Sequence, residues 1–295
     1  MGLIHEPIEL SDGYRAHARW WLPDSPLGAV LYLHGIESHG GWFEASASRL
    51  AGAGFAVLLP DRRGSGANRQ DRGHARSAGR LLADVEEQLA IVQSRASVKR
   101  VHLAGVSWGG KLAAAYAARG SGQIASLTLI APGLFPQVDL PAAQKLRVGL
   151  AAVFASQTTF AIPLEDPSLF TGNPERITFI GTDPLRLRSA TAGLLLASWK
   201  LDRLARRLAW RRVDVPVHLF LAEHDRIIHN EPTRMFVRSL SDADRVITEY
   251  RRASHTLEFE AAPEPFLADL VRWLEHAEQA CGSPQAGARP CCQKP

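Results

Sequence analysis

Three residues far apart in the chain have the types and settings that nucleophilic acyl chemistry needs: Ser107, Asp225 and His255. A serine hydroxyl is a weak nucleophile until a base takes its proton, and neutral imidazole is the base available near pH 7. An acid on the far side of the imidazole fixes its tautomer and stabilises the cation. Ser107 stands in Gly105-Val106-Ser107-Trp108-Gly109. Asp225 follows the apolar run Leu219-Phe220-Leu221, and His255 follows the run 246–250. The order Ser, Asp, His is the one expected when a strand–turn–helix elbow presents the nucleophile.

Competitors exist for two of these roles. Glu223 could replace Asp225, while His224 and His229 would put acid and base in one loop. His255 itself could be one more surface-loop histidine among the eleven in the chain. Chain order favours Ser107, Asp225 and His255. The oxygen that becomes negative needs two backbone donors. Trp108 N–H, directly after the nucleophile, is one. Ile36 N–H, in the loop opened by His34-Gly35, is the other.

A bare Gly-x-Ser-x-Gly also occurs as an ordinary glycine-rich turn, so the elements around it decide. The run 101–106 reads as a buried strand, and 111–118 is rich in helix formers. Strand, sharp turn and helix are what an elbow requires. The uninterrupted apolar run at 29–33 and the run at 55–59 read as further buried strands, with others at 124–130, 215–221, 14–22 and 245–251. Helical patterns fall at 42–51, 81–92, 233–240 and 265–276. The alternation predicts an α/β protein: a mostly parallel central sheet with helices on both faces and sites at the strand C-terminal ends. Between about 133 and 212 no strand pattern appears, and this stretch reads as a helical cap insertion. The expected organisation is one domain over 1–279, followed by a disordered tail over 280–295.

Two other motifs carry less. Gly120-Ser121-Gly122-Gln123-Ile124-Ala125 spells a dinucleotide fingerprint, but it follows a helix and precedes a strand, the reverse of the required order. Asp61-Arg62-Arg63-Gly64-Ser65-Gly66 reads as a turn whose acid and arginines tie neighbouring loops.

Bulk properties exclude several classes. The net charge of +4 comes from arginines spread along 295 residues, with no basic block interleaved with aromatics, so nucleic acid is not an expected partner. No apolar run reaches membrane-spanning length, and the N-terminus shows no signal peptide. Glu6 stands where a myristoylation motif at Gly2 would want Ser or Thr. The three cysteines, Cys281, Cys291 and Cys292, cluster at the end without histidine at ligand spacing. Neither a disulfide framework nor a zinc site is expected, and the expected location is cytoplasmic. No metal or other cofactor is needed for the chemistry above.

The residues His34 to Phe43, Asp61 to Gly66, Gly105 to Gly110, Asp183-Pro184-Leu185, Glu223-His224-Asp225 and Ser254-His255 together resemble the α/β-hydrolase superfamily. The resemblance is to its monoacylglycerol lipase and lysophospholipase branch, sometimes grouped as serine aminopeptidase-like hydrolases. It implies the α/β-hydrolase fold and cleavage of a carboxylic ester, such as a monoacylglycerol, a lysophospholipid or another lipophilic ester, through an acyl-enzyme. It places the triad on Ser107, Asp225 and His255 and the donors on Ile36 and Trp108. Alternatives on the same triad are a peptidase or an acyltransferase; outside catalysis, a ligand-binding homologue. Where the family often has His before the nucleophile and Met or Gln after it, this chain has Val106 and Trp108, so a narrower acyl pocket is expected. In the insertion, Leu146, Leu150, Val153 and Phe154 lie at helical spacing, and Leu194-Leu195-Leu196 and Trp199 follow later. Their expected role is packing the cap on the core, with a subset lining an acyl channel. The arginine-rich stretch 201–212 has a solvated face that could also rest on an anionic membrane, a peripheral contact.

Overall fold

The computed structural model of the chain describes residues 2–120, 122–240 and 244–282. Its main sheet has eight strands: β1 (Ile4–His5), β2 (Ala18–Trp21), β3 (Gly28–Leu33), β4 (Phe55–Pro60), β5 (Val101–Val106), β6 (Ile124–Ile130), β7 (Val217–Ala222) and β8 (Arg245–Tyr250). Their spatial order is β1-β2-β4-β3-β5-β6-β7-β8. From β4 to β8 every neighbouring pair is parallel, while β2 runs antiparallel to both β1 and β4. The fold is that of an α/β protein with a mostly parallel sheet. Strands β3 to β7 are buried along their whole length, as the apolar runs predict. The edge strand β8 is partly exposed.

Helices α1 (Glu44–Gly52), α2 (Ala78–Ala96) and α3 (Trp108–Ala117) follow β3, β4 and β5 respectively. Parallel strands force such crossovers, and all the loops leaving β3, β5, β7 and β8 emerge at one edge. The residues singled out for chemistry sit in those four loops. Between β6 and β7 come α4 (Ala142–Phe154), α5 (Pro174–Thr182) and α6 (Ala192–Arg212); α7 (Asn230–Arg238) and α8 (Glu264–Gly282) complete the chain. Helix α6 packs against α3, α2 and α4.

Some expected elements differ. The strand at 14–22 is interrupted: Arg15–Ala16 pairs with Ile8–Glu9, and only Ala18–Trp21 joins the main sheet. Thr159–Ala161 pairs antiparallel with Ser189–Thr191 inside the stretch that showed no strand pattern. Three-residue strands are too short for alternation to register. Helix α8 continues through Gly282, past the boundary expected at 279, and residues 283–295 of the expected tail, with Cys291 and Cys292, lie outside the described residues. Among the described residues no helix is long and apolar enough to cross a membrane.

The insertion also departs from expectation. Leu146, Leu150, Val153 and Phe154 do not pack on the core; they face outward, Phe154 being 84% exposed. The inner side of α4 is Val148. On α6, by contrast, Leu194 and Leu201 are buried and Leu195, Leu204 and Leu208 pack against the core. Arg206, Arg207 and Arg212 remain exposed, as a solvated face would.

Candidate active site

Ser107 lies between the last residue of β5 and the first of α3, with φ 52° and ψ −119°. A positive φ strains a residue that carries a Cβ by about 1–3 kcal/mol. The elbow is held by backbone bonds: Ser107 N–H donates to Ile130 O at 2.9 Å, and Gly133 N–H donates to Ser107 O at 2.7 Å. A methyl at Gly105 would stand 2.4 Å from Gly109 O, and one at Gly109 2.3 Å from Leu33 O, so both positions demand glycine. Gly35 brings the loop after β3 alongside Ser107: a Cβ there would lie 3.4 Å from Ser107 Cβ, in ordinary contact.

His255, in the loop after β8, is fully buried. Its Nδ1–H donates to Asp225 Oδ2 at 2.7 Å. Asp225 Oδ1 accepts from Ile227 N–H at 2.8 Å and Ile228 N–H at 3.0 Å, so the carboxylate is fixed from both sides. That arrangement leaves the lone pair of His255 on Nε2, and Nε2 is buried with no hydrogen-bond partner. A buried unpaired acceptor is costly and calls for an explanation. His255 lines a cleft together with Ser107, Gly35, Ile36, Trp42, Phe43, Val106, Leu164 and Phe170, among others. Phe170 meets the imidazole edge to face at 6.2 Å.

The competing residues point elsewhere. Glu223 Oε2 accepts from Arg252 N–H at 2.7 Å on the surface, and His224 and His229 are exposed. Ile36 lines the cleft beside Ser107. Trp108 opens α3, where a first-turn N–H has no intrahelical acceptor. The Trp108 ring is not among the cleft-lining groups; its Nε1–H donates to Ser198 Oγ on α6 at 2.9 Å. The narrowing expected from Trp108 therefore does not arise from its ring.

The loop that carries Ile36 is anchored by buried polar groups. His34 Nδ1–H donates to Gly35 O at 2.8 Å, and Nε2 accepts from Arg62 N–H at 2.7 Å. Burial, reinforced by the Arg62 charge, pushes the His34 imidazole down to about 3, so it is neutral. Asp61 accepts from Arg19, Gly40 N–H and Ala67 N–H. Burial pushes its carboxyl up, but the side chain of His17, the charge of Arg19 and the Ala67 N–H outweigh this and hold it well below the usual range. The Asp61 turn thus ties loops together, in line with its sequence reading. Glu37 is paired with Arg186 from the insertion at 2.7 Å, both side chains almost wholly buried. Burial pushes the Glu37 carboxyl up to about 7 against the pull of Arg186. Asp183 accepts from Trp42 Nε1–H at 2.7 Å and lies 3.0 Å from His39 Nε2.

The His255 loop has its own anchor. Glu258 Oε1 accepts from Ala45 N–H at 2.9 Å and Ser46 N–H at 3.1 Å in the first turn of α1, and Oε2 contacts Ser46 Oγ. Burial pushes this carboxyl up to about 7 despite those donors. The folded-state value lies above the ordinary 4.5, so between these values the folded chain holds more protons than the unfolded one. The contribution is fully present below about 4.5 and is lost as pH rises through about 7. We expect the melting temperature to fall across that interval. Glu258→Gln, which keeps an acceptor for both N–H groups and a donor for Ser46, should flatten the fall. Thermal melts of both proteins at pH 5, 6, 7 and 8 check this, and parallel curves would remove Glu258 from the account.

Sequence reasoning gave no role to Glu37, Arg186, Ser198 or Glu258. A signal did exist for two of them. Glu37 stands in a glycine-rich loop, and Glu258 stands between Leu257 and Phe259, settings in which an acid is buried rather than solvated.

The comparisons with known proteins agree with this architecture. The Hydrolase_4 profile, described as serine aminopeptidase, S33, matches residues 24–262. The chain belongs to this family of α/β-hydrolases. It is 26% identical over 260 residues to a monoacylglycerol lipase of Mycolicibacterium smegmatis, covering 86% of this chain and 90% of that one. It is also 26% identical over 270 residues to an abhydrolase domain-containing protein of Dictyostelium discoideum, 90% of this chain but only 28% of that protein's length. Among solved structures, a monoacylglycerol lipase of Paleococcus ferrophilus superposes with a TM-score of 0.81 at 23% identity, covering 90% of this chain and all of that one. The α/β-hydrolase fold and a distant homology to monoacylglycerol lipases follow.

Proposed function

We propose that the chain is a serine hydrolase that cleaves a carboxylic ester of lipophilic character, a monoacylglycerol or lysophospholipid, through an acyl-enzyme on Ser107. The observation that carries the reading is that His255 lines the same cleft as Ser107, with its Nε2 buried and unpartnered and Asp225 on the opposite ring nitrogen. Nε2 takes the hydroxyl proton as Oγ bonds to the ester carbonyl carbon. The carbonyl oxygen becomes an oxyanion received by the N–H groups of Ile36 and Trp108. The imidazolium then protonates the leaving alkoxide as the C–O bond breaks. Water, activated by the same nitrogen, releases the acid and restores Ser107. No step calls on a metal or another cofactor.

Two observations support an apolar ester over a peptide. The cleft walls are largely apolar, with Trp42, Phe43, Val106, Leu164 and Phe170. An aminopeptidase needs an acid for the substrate ammonium, and Glu37, the acid among the lining residues, is already taken by Arg186. The relatives from M. smegmatis and P. ferrophilus are named for monoacylglycerol. Outward Leu146, Leu150, Val153 and Phe154 share α4 with Lys145 and Arg147 and with no acid, which suits a peripheral contact with the interface where such esters reside.

A panel of p-nitrophenyl esters from acetate to palmitate, with monoacylglycerols, lysophospholipids and peptide anilides alongside, tests the reading. Ester turnover should exceed anilide turnover by orders of magnitude, and a fluorophosphonate probe should label Ser107 in peptide maps. Preferred anilide cleavage would make the chain a peptidase. No turnover and no label would make it a binding homologue.

A further inference from the structure

Arg62 touches both residues assigned as oxyanion donors. Its guanidinium is buried, and Nη2–H donates to Ile36 O at 3.0 Å. Its Cζ lies 4.7 Å from the centroid of the Trp108 ring, within cation–π range. Nη1–H donates to Arg63 O at 3.1 Å, and Nε–H has no partner. Among the described residues Arg62 forms no ion pair. The acids near it are engaged elsewhere: Asp61 with Arg19, and Asp84 with Arg63 and Arg80. Burying a cation without a carboxylate is expensive, and a purely structural pin of carbonyl groups would not require the charge. On its other side the Trp108 ring is fastened by Ser198, which also accepts from Lys111 Nζ at 3.1 Å.

We propose that Arg62 is a positioning residue of the oxyanion hole, holding Ile36 by its carbonyl and Trp108 by its ring face with a buried guanidinium that forms no ion pair of its own among the described residues. The inference rests on the ester-hydrolase reading and deepens it. When Ser107 Oγ adds to the carbonyl, negative charge appears between two N–H groups whose residues Arg62 holds. A buried cation held against both of those residues favours the charged intermediate over the neutral ester, in a surrounding where screening by water is weak. The guanidinium fork bonds two carbonyls in one plane and presents a flat face to the indole, which an ammonium cannot do.

The test uses the full chain and p-nitrophenyl butyrate. Arg62→Gln should lower kcat about 10- to 100-fold with KM within about twofold, the scale on which a slightly misplaced site loses rate. Affinity for an alkyl trifluoromethyl ketone, which adds Ser107 to form a hemiketal oxyanion, should fall by the same factor as kcat. Affinity for the matching methyl ketone, which stays neutral, should not change. Arg62→Lys should fall between wild type and Arg62→Gln. A folded Arg62→Gln with kcat within twofold of wild type overturns the inference, as does an equal loss for both ketones, which marks a deformed cleft. If Arg62→Gln does not fold, Trp108→Phe and Trp108→Leu decide. Both lose the Ser198 bond, but only Leu removes the ring under the guanidinium, so kcat should be about tenfold lower for Leu, and equal values overturn the inference. A wild-type protein with neither esterolysis nor label at Ser107 counts against the ester-hydrolase reading itself. An active wild type indifferent to Arg62 counts against this inference alone.

Discussion

Replacing Ser107 by alanine is expected to lower ester turnover by about 10⁶-fold, the scale seen when a serine hydrolase loses its nucleophile. The change deletes one oxygen at the head of α3 and leaves His255, Asp225 and both backbone donors in place. Some acceleration over water, on the order of a thousandfold, should therefore persist from the oxyanion hole and binding. Fluorophosphonate labelling should vanish completely. Because alanine also accepts the φ of 52° only under strain, the thermal transition should stay close to that of the parent. Turnover of the folded variant within tenfold of the parent would show that the nucleophile lies elsewhere.

Exchanging Asp225 for asparagine should cost about 10⁴-fold in turnover, the loss associated with the wrong imidazole tautomer. The asparagine oxygen can keep the bonds from Ile227 and Ile228, so the loop should hold its shape. Its amide, however, donates toward Nδ1 and drives the proton of His255 onto Nε2, the atom that must accept from Ser107. Glu223→Gln makes the matched control. That side chain serves the Arg252 N–H at the surface, and turnover should stay within a few-fold of the parent. Steady-state kinetics on both variants, after confirming unchanged melting, separates the two acids. A crippled Glu223→Gln beside a normal Asp225→Asn would reassign the acid.

What the sequence made legible was local or depended on chain order. Gly105 and Gly109 flank Ser107 within one turn, and steric demand at such a turn is a property of the local backbone. The continuous apolar runs identify strands β3 and β4, and the largely apolar stretches β5 to β7, because burial on both faces leaves no alternation. Asp225 and His255 could be named because each follows a strand, and parallel strands deliver their loops to one edge. The supporting polar contacts were not legible. Glu37 meets Arg186 across 149 positions, and Trp42 meets Asp183 across 141. No periodicity encodes such a meeting. The outward face of α4 was misjudged for a related reason. Helical spacing shows that Leu146, Leu150, Val153 and Phe154 share a side, but not whether that side finds a neighbour.

The bonds that join the loop 34–42 to the segment 183–187 bear on how this protein can change by recombination. Leu187 N–H donates to Glu37 O, Arg186 neutralises Glu37, and Asp183 binds Trp42. The two segments are therefore one heritable unit, though 140 residues of chain lie between them. A chimera that imports the stretch 131–216 from a relative, without its matching loop after β3, strands Glu37 as a buried charge. Breaking such a pair costs about 3–5 kcal/mol, a large part of a domain's stability. Viable crossovers should carry both segments or neither, so specificity grafted through the insertion brings part of the loop after β3 with it.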